Sequence, residues 1–178
     1  FIHDCYIDET SYFYPGNPDR TGSLIGRTLS GSIVSNCYSL AVLDVGDGHN
    51  GSGGLIGQTE SGSKIYNSIF AGAITNRSYD YYAFIGEAVD TLTENCGWYS
   101  WASNPPLPGA WMEYEETDIS EFYSSSHGVY SNWSSSIWTW RPDRFPNFSR
   151  LTISYHPQDL EVTVPAAAAF SVTASARE

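Results

Sequence analysis

One lysine, Lys64, and one methionine, Met112, stand in a chain of 178 residues, and Lys and Arg together number 8 against 20 Asp and Glu. A phosphate backbone is held by clustered Lys and Arg, so a net charge of −12 with scattered basic residues excludes a nucleic-acid partner. Long apolar runs are missing as well: nothing reaches the ~18 residues of a membrane-spanning helix. The start, Phe1-Ile2-His3-Asp4, carries neither a basic n-region nor an h-region, so no signal peptide is predicted and the chain reads as a piece cut from a longer protein. Helix formers such as Lys, Met and Gln are scarce. What is abundant is glycine (16), serine and aromatic residues (15 %), with only 16 % charged residues, a profile of strands and turns.

The organising feature is a repeated phrase: Asp4-Cys5-Tyr6, Asn36-Cys37-Tyr38, Asn67-Ser68-Ile69 and Asn95-Cys96-Gly97, at intervals of 32, 31 and 28 residues. A second landmark, Leu24-Ile25-Gly26, Leu55-Ile56-Gly57 and Phe84-Ile85-Gly86, precedes the last three copies, its glycine 10, 10 and 9 residues ahead of the Asn. A period of about 30 in β-formers and Gly, without helical periodicity, predicts an all-β fold, a short right-handed parallel β-helix of about four coils. Residues 1–96 are assigned to these coils.

The four-membered set Asp4, Asn36, Asn67 and Asn95 reads as a structural ladder. Asn tolerates the left-handed backbone of a sharp corner, and stacked amides hydrogen-bond from coil to coil. Beside it run Cys5, Cys37, Ser68 and Cys96, an inward column of small side chains. Three cysteines at one repeat position do not make a disulfide framework, and Cys5 and Cys37 are expected to be buried thiols. Alternation puts Cys37, Ser39, Ala41 and Leu43 on one face, matching Ser68, Phe70, Gly72 and Ile74, with Val34, Ile65 and Leu92 completing the predicted core. Gly26, Gly57 and Gly86 mark bends or places where coils come too close for a Cβ.

Beyond Gly97 the repeat stops. All six tryptophans lie between Trp98 and Trp140, interleaved with Pro105, Pro106, Pro108 and the acidic run Glu113 to Asp118. An open stack exposes strand edges and an apolar interior, so residues 97–150 read as an aromatic-rich C-terminal cap. Within it Asp118–Tyr123 is a short helical turn and Trp138–Pro146 a final pairing segment. In 151–178, Leu151–Pro165 and Ala169–Ser175 alternate at period two, as a linker and the first strands of a sandwich.

The Gly-Leu-Ile-Gly landmark, followed by Ser-Gly-Ser and then Asn-Cys or Asn-Ser, resembles the GLUG-motif repeat of large bacterial surface and secreted proteins, over residues 22 to 96. The third copy departs from it, with Ala83-Phe84 in place of Gly-Leu. Residues 153 to 175 are similar to the opening of bacterial Ig-like modules. The resemblance implies an extracellular, cell-surface or secreted, multidomain adhesin-like polypeptide, and it brings no catalytic residues.

Polysaccharide lyases and hydrolases also use parallel β-helices. Lyase chemistry needs stacked acids for calcium and a nearby base, yet the equivalent outward positions hold Arg27, Gln58 and Glu87. Glycoside hydrolysis needs two carboxylates across a cleft, and the dense acids Glu113, Glu115, Glu116 and Asp118 read as a solvated face. No enzyme activity and no cofactor is predicted. Asp44 to Asn50 has calcium-like spacing but lacks a twelfth-position Glu, and His3, His49, His127 and His156 have no ligand spacing, so no metal is predicted. A regular outward Thr array for ice fails when Thr28 and Thr59 are followed by Ala88. Sequons at Asn50, Asn76, Asn132 and Asn147 matter only in a eukaryotic secretory host. The expected role is a non-enzymatic stalk or display segment, whose partners are flanking domains of the same polypeptide and a host or environmental glycan or protein. The alternative is a glycan-binding module in which Tyr81, Tyr82, Trp98, Trp101 and Trp111, with Tyr79 and Tyr99 nearby, stack on sugar rings.

Overall fold

The computed structural model describes residues 1–14, 20–45, 51–75, 81–99, 114–149, 151–155 and 173–176. The chain is all-β, and strands one repeat apart pair in parallel. The main sheet starts with Ile2–Ile7, which pairs with Ile33–Ser39. That strand pairs in turn with Lys64–Tyr66 and Ile69–Phe70. Leu92–Glu94 and Gly97–Tyr99 follow, and Tyr114–Glu116 closes the sheet. Parallel pairing therefore runs one strand beyond Gly97, where the repeat was expected to end.

Smaller stacks obey the same register. Tyr12–Phe13, Val42–Asp44 and Ala73–Thr75 form one, and Ser52–Gly53 pairs with Tyr81–Tyr82. The landmark builds another, Ile25–Arg27, Ile56–Thr59 and Ile85–Ala88, in which Ile25, Ile56 and Ile85 are aligned.

The corner residues explain why the main strand bends or breaks once per repeat. Asp4, Asn36, Asn67 and Asn95 have φ of 53°, 55°, 46° and 52°, the left-handed region where Asn and Asp are the least penalised of the side-chain-bearing residues. The amides are linked: Asn36 Nδ2 donates to Asp4 Oδ1 at 3.2 Å, and Asn67 Nδ2 donates to Asn36 Oδ1 at 3.4 Å. Asn67→Ala is expected to destabilise by about 2 kcal/mol, from left-handed strain plus a lost buried amide. Asn67→Gly keeps the backbone and should lose roughly half of that. Denaturant midpoints of the two variants check the split.

Landmark glycines act by close approach. A Cβ on Gly57 would meet the carbonyls of Arg20 and Gly26, and one on Gly86 those of Gly51 and Gly57. Gly26 is different, with its nearest neighbour, the Arg20 carbonyl, at 3.5 Å.

Among the described residues, buried apolar side chains fall into two clusters. The first lies between the stacks: Val34, Cys37, Leu43, Ile65, Phe70, Ile74 and Cys96, with Leu55, Ile56, Phe84 and Ile85 of the landmark. Leu92 is a correction. It is 50 % exposed and aligned with Lys64, while Thr93 aligns with Ile65, because the interior position lies two residues before the Asn and Leu92 is three before it. Cys5 is another, since it is only half-buried, having a paired strand on one side alone. Burial pushes the Cys37 thiol up to about 12, which keeps it neutral and unreactive at neutral pH. Thr28 and Thr59 are buried, hydrogen-bonded to Ser63 and Thr91 respectively. Gln58, read from sequence as outward, is also buried, its Nε2 donating to Glu87 Oε2 at 2.8 Å.

The second cluster joins the outer face of the main sheet to residues 119–148. Asp118 accepts from the Ser120 amide at 2.9 Å and caps the 3-10 turn Ile119–Tyr123; a second such turn spans Gly128–Tyr130. Trp138–Arg141 and Arg144–Phe148 then form an antiparallel hairpin, which agrees with the pairing expected there. Leu151–Tyr155 and Thr173–Ala176 also pair antiparallel.

A lengthwise aromatic strap and a candidate ligand cleft

One outward column of the main sheet reads Tyr6, Tyr38, Ile69, Gly97, Tyr114 in register. Residues 119–148 lie along it, from its last strand back to its first. Phe122 sits where a Cβ on Gly97 would be, which explains why this repeat has Gly where another has Tyr. Further on, the Trp133 indole donates to the Asn67 carbonyl at 2.9 Å, and the Tyr38 hydroxyl donates to the Pro146 carbonyl at 2.8 Å. At the first strand the Trp138 indole donates to Asp4 Oδ1 at 3.1 Å. Tyr38 is the hub, with ring centroids 5.0 Å from Tyr6, 5.3 Å from Phe145 and 6.2 Å from Trp133. The segment read as an end cap is thus, where described, a strap fastened across successive strands. Three of its attachments reach the corner ladder or its neighbour, so the same residues that turn the backbone also anchor the strap.

Burial acts to raise the pKa of the Asp4 carboxyl, and hydrogen bonds from His3, Trp138 and Asn36 outweigh it, so its pKa ends below the ordinary carboxylate range. At the other end His127 Nε2 lies 3.0 Å from Glu116 Oε1, while its Nδ1 accepts from the Val129 amide at 3.3 Å.

Between strap and sheet a cleft of about 500 Å³ opens. Its floor is Tyr38, Leu40, Ala71 and Phe145, and its walls include Tyr6, Tyr123, Ile119 and Asn147. Asp8 and Glu9, which follow the first strand, and Asp143 and Arg144, at the hairpin turn, stand at the rim. Asp8 Oδ1 is fixed by the Thr10 amide at 3.1 Å, the Thr10 hydroxyl at 2.7 Å and the Ser11 hydroxyl at 3.2 Å. These bonds, the Thr10 hydroxyl foremost, hold its pKa below the ordinary carboxylate range. Arg144 forks onto Asp143 at 3.2 and 2.8 Å. Burial raises the Tyr38 phenol, and the charges of Glu9 and Asp8 push it the same way.

Of the residues expected to stack on sugars, Trp98 is 4 % exposed and aligned with buried Phe70, an interior position that leaves no ring face for a ligand. Tyr82 is half-buried on a two-residue strand, and Tyr81 is its neighbour there. Trp101 and Trp111 lie outside the described residues, as do Tyr79 and Asp47 to Asn50 of the calcium-like stretch. Glu115 is exposed, and Glu116 is committed to His127. Sequence reasoning missed the cleft because Asp8-Glu9 and Asp143-Arg144 each look like ordinary surface pairs, and nothing local brings them together. Among the described residues no group of three or more His, Cys, Asp or Glu is placed to hold a metal ion, and no helix is long and apolar enough to cross a membrane.

No protein-family model matches the chain, and neither a curated protein nor a solved structure matches it. The class rests on the strands themselves: an all-β protein of parallel stacks with a lengthwise aromatic strap.

Proposed function

We propose that the stacks are the coils of a short right-handed parallel β-helix, and that the chain is a non-enzymatic stalk or display segment of an adhesin-like bacterial surface protein. The hand follows from the rule that parallel crossover connections are right-handed. The observation that carries the reading is the strap: in-register pairing from Ile2–Ile7 to Tyr114–Glu116 is tied across its length by Tyr38, Trp133 and Trp138. Repeat stacks held only by nearest neighbours unravel piecemeal, whereas a segment bound to several of them makes them give way together, which is the property a load-bearing spacer needs. The resemblance of residues 22 to 96 to GLUG-motif repeats supports an extracellular setting with flanking domains, and that of 153 to 175 supports a following Ig-like module. Of the acids the sequence offered for sugar degradation, Glu115 is exposed and Glu116 is committed to His127, which supports a non-enzymatic role over that one. Single-molecule pulling of the chain between marker domains is the test: one high-force event is expected, and a ladder of weak steps of about one repeat each would rule the mechanical role out.

A further inference from the structure

The rim charges of the cleft do not balance. Arg144 is taken up by Asp143 through both guanidinium bonds and attracts Glu9 only at longer range, and among the described residues no salt bridge reaches Asp8 or Glu9. Two carboxylates therefore stand at the mouth of the cleft without an ion pair, one of them held in place by Thr10 and Ser11 before any ligand arrives. Carboxylates beside the part-exposed rings of Tyr6 and Tyr123 favour an organic cation, by charge-assisted hydrogen bonds and by the ring quadrupole. A bare ammonium would leave most of about 500 Å³ empty, and the remaining wall, Tyr123 with Asn147, offers a ring face and an amide suited to a hydroxylated ring. Tyr123 also lines an adjoining shallower groove with Trp140 and Arg141, so the surface continues past a single ring.

We propose that this cleft binds an amine-bearing saccharide, its ammonium group on Asp8 and Glu9 and its ring face on Tyr123. The inference is independent of the mechanical role, and it moves sugar binding from the junction tyrosines to the strap. The test is calorimetric titration of the whole chain with a glucosamine trisaccharide, its N-acetylated counterpart and cadaverine. Saturable binding of the first is expected, weakened about tenfold by acetylation and by Asp8→Asn/Glu9→Gln, the loss of a charge-assisted bond. The charge-matched Glu94→Gln/Glu115→Gln variant should bind as the parent does, which separates the site from the general pull of an acidic protein. Tyr123→Ala should weaken binding of the trisaccharide and leave that of cadaverine unchanged. Equal binding of both trisaccharides, cadaverine binding as tightly as the sugar, an equal effect of the two double variants, or no saturable binding would each overturn the proposal.

Discussion

Tyr38→Ala is expected to destabilise the folded chain by about 3–5 kcal/mol, the range for emptying a buried aromatic site. Tyr38 is 1 % exposed and touches both the first strand, through Tyr6, and the strap, through Trp133, Trp138 and Phe145. Its loss leaves a cavity at the centre of the second cluster and an unanswered Pro146 carbonyl. Tyr38→Phe isolates the second effect, since the ring stays and only the 2.8 Å hydroxyl bond goes, with an expected loss of about 1 kcal/mol. Urea unfolding followed by tryptophan fluorescence reports the strap through Trp133 and Trp138, and far-ultraviolet circular dichroism reports the strands. In the parent protein the two transitions should coincide. In Tyr38→Ala the fluorescence transition should come first, because the strap loses its central anchor while backbone pairing between strands persists. Coincident transitions at the parent midpoint would show that the strap does not depend on this ring.

Alanine at the landmark glycine should have opposite effects in different repeats. At Gly57 and Gly86 the added methyl collides with backbone carbonyls of the neighbouring repeat, which cannot swing aside as a side-chain tip does. Separating the strands would break the ladder, so the expected loss is about 3 kcal/mol, at the upper end for overpacking. At Gly26 the methyl has room, and the smaller backbone entropy of the unfolded chain favours alanine by about 0.4–1 kcal/mol. Thermal melts of the three single variants measure this directly. A uniform response would mean that the glycines serve the local turn rather than the distance between strands.

Much of the frame is legible before any coordinates. Asn36, Asn67 and Asn95 announce a repeated corner because few residues accept a positive φ, and the offset of 10, 10 and 9 residues from the landmark glycine sets the register of the strands between. Cys37, Phe70 and Ile74 fall on the interior face by period two alone. Leu92 shows how finely this is balanced, since one residue of offset moves a side chain from core to surface. Gln58 was misplaced for another reason: its polarity suggests solvent, yet it is buried with its amide nitrogen on Glu87, a neighbour that only stacking supplies.

The repeat, the corners and the interior column are thus properties of the sequence by itself, because each arises from local backbone preference and from alternation along one strand. Where the tryptophans go is not. Trp133 and Trp138 meet the third and first corners across 66 and 134 residues of chain respectively, and no periodicity encodes a contact between a repeated surface and a segment that does not repeat. The strap, and the cleft it leaves beside Asp8 and Glu9, exist only once residues 119–148 have packed on the Tyr6–Tyr38 column, where burial of aromatic area outweighs the entropy of ordering the strap.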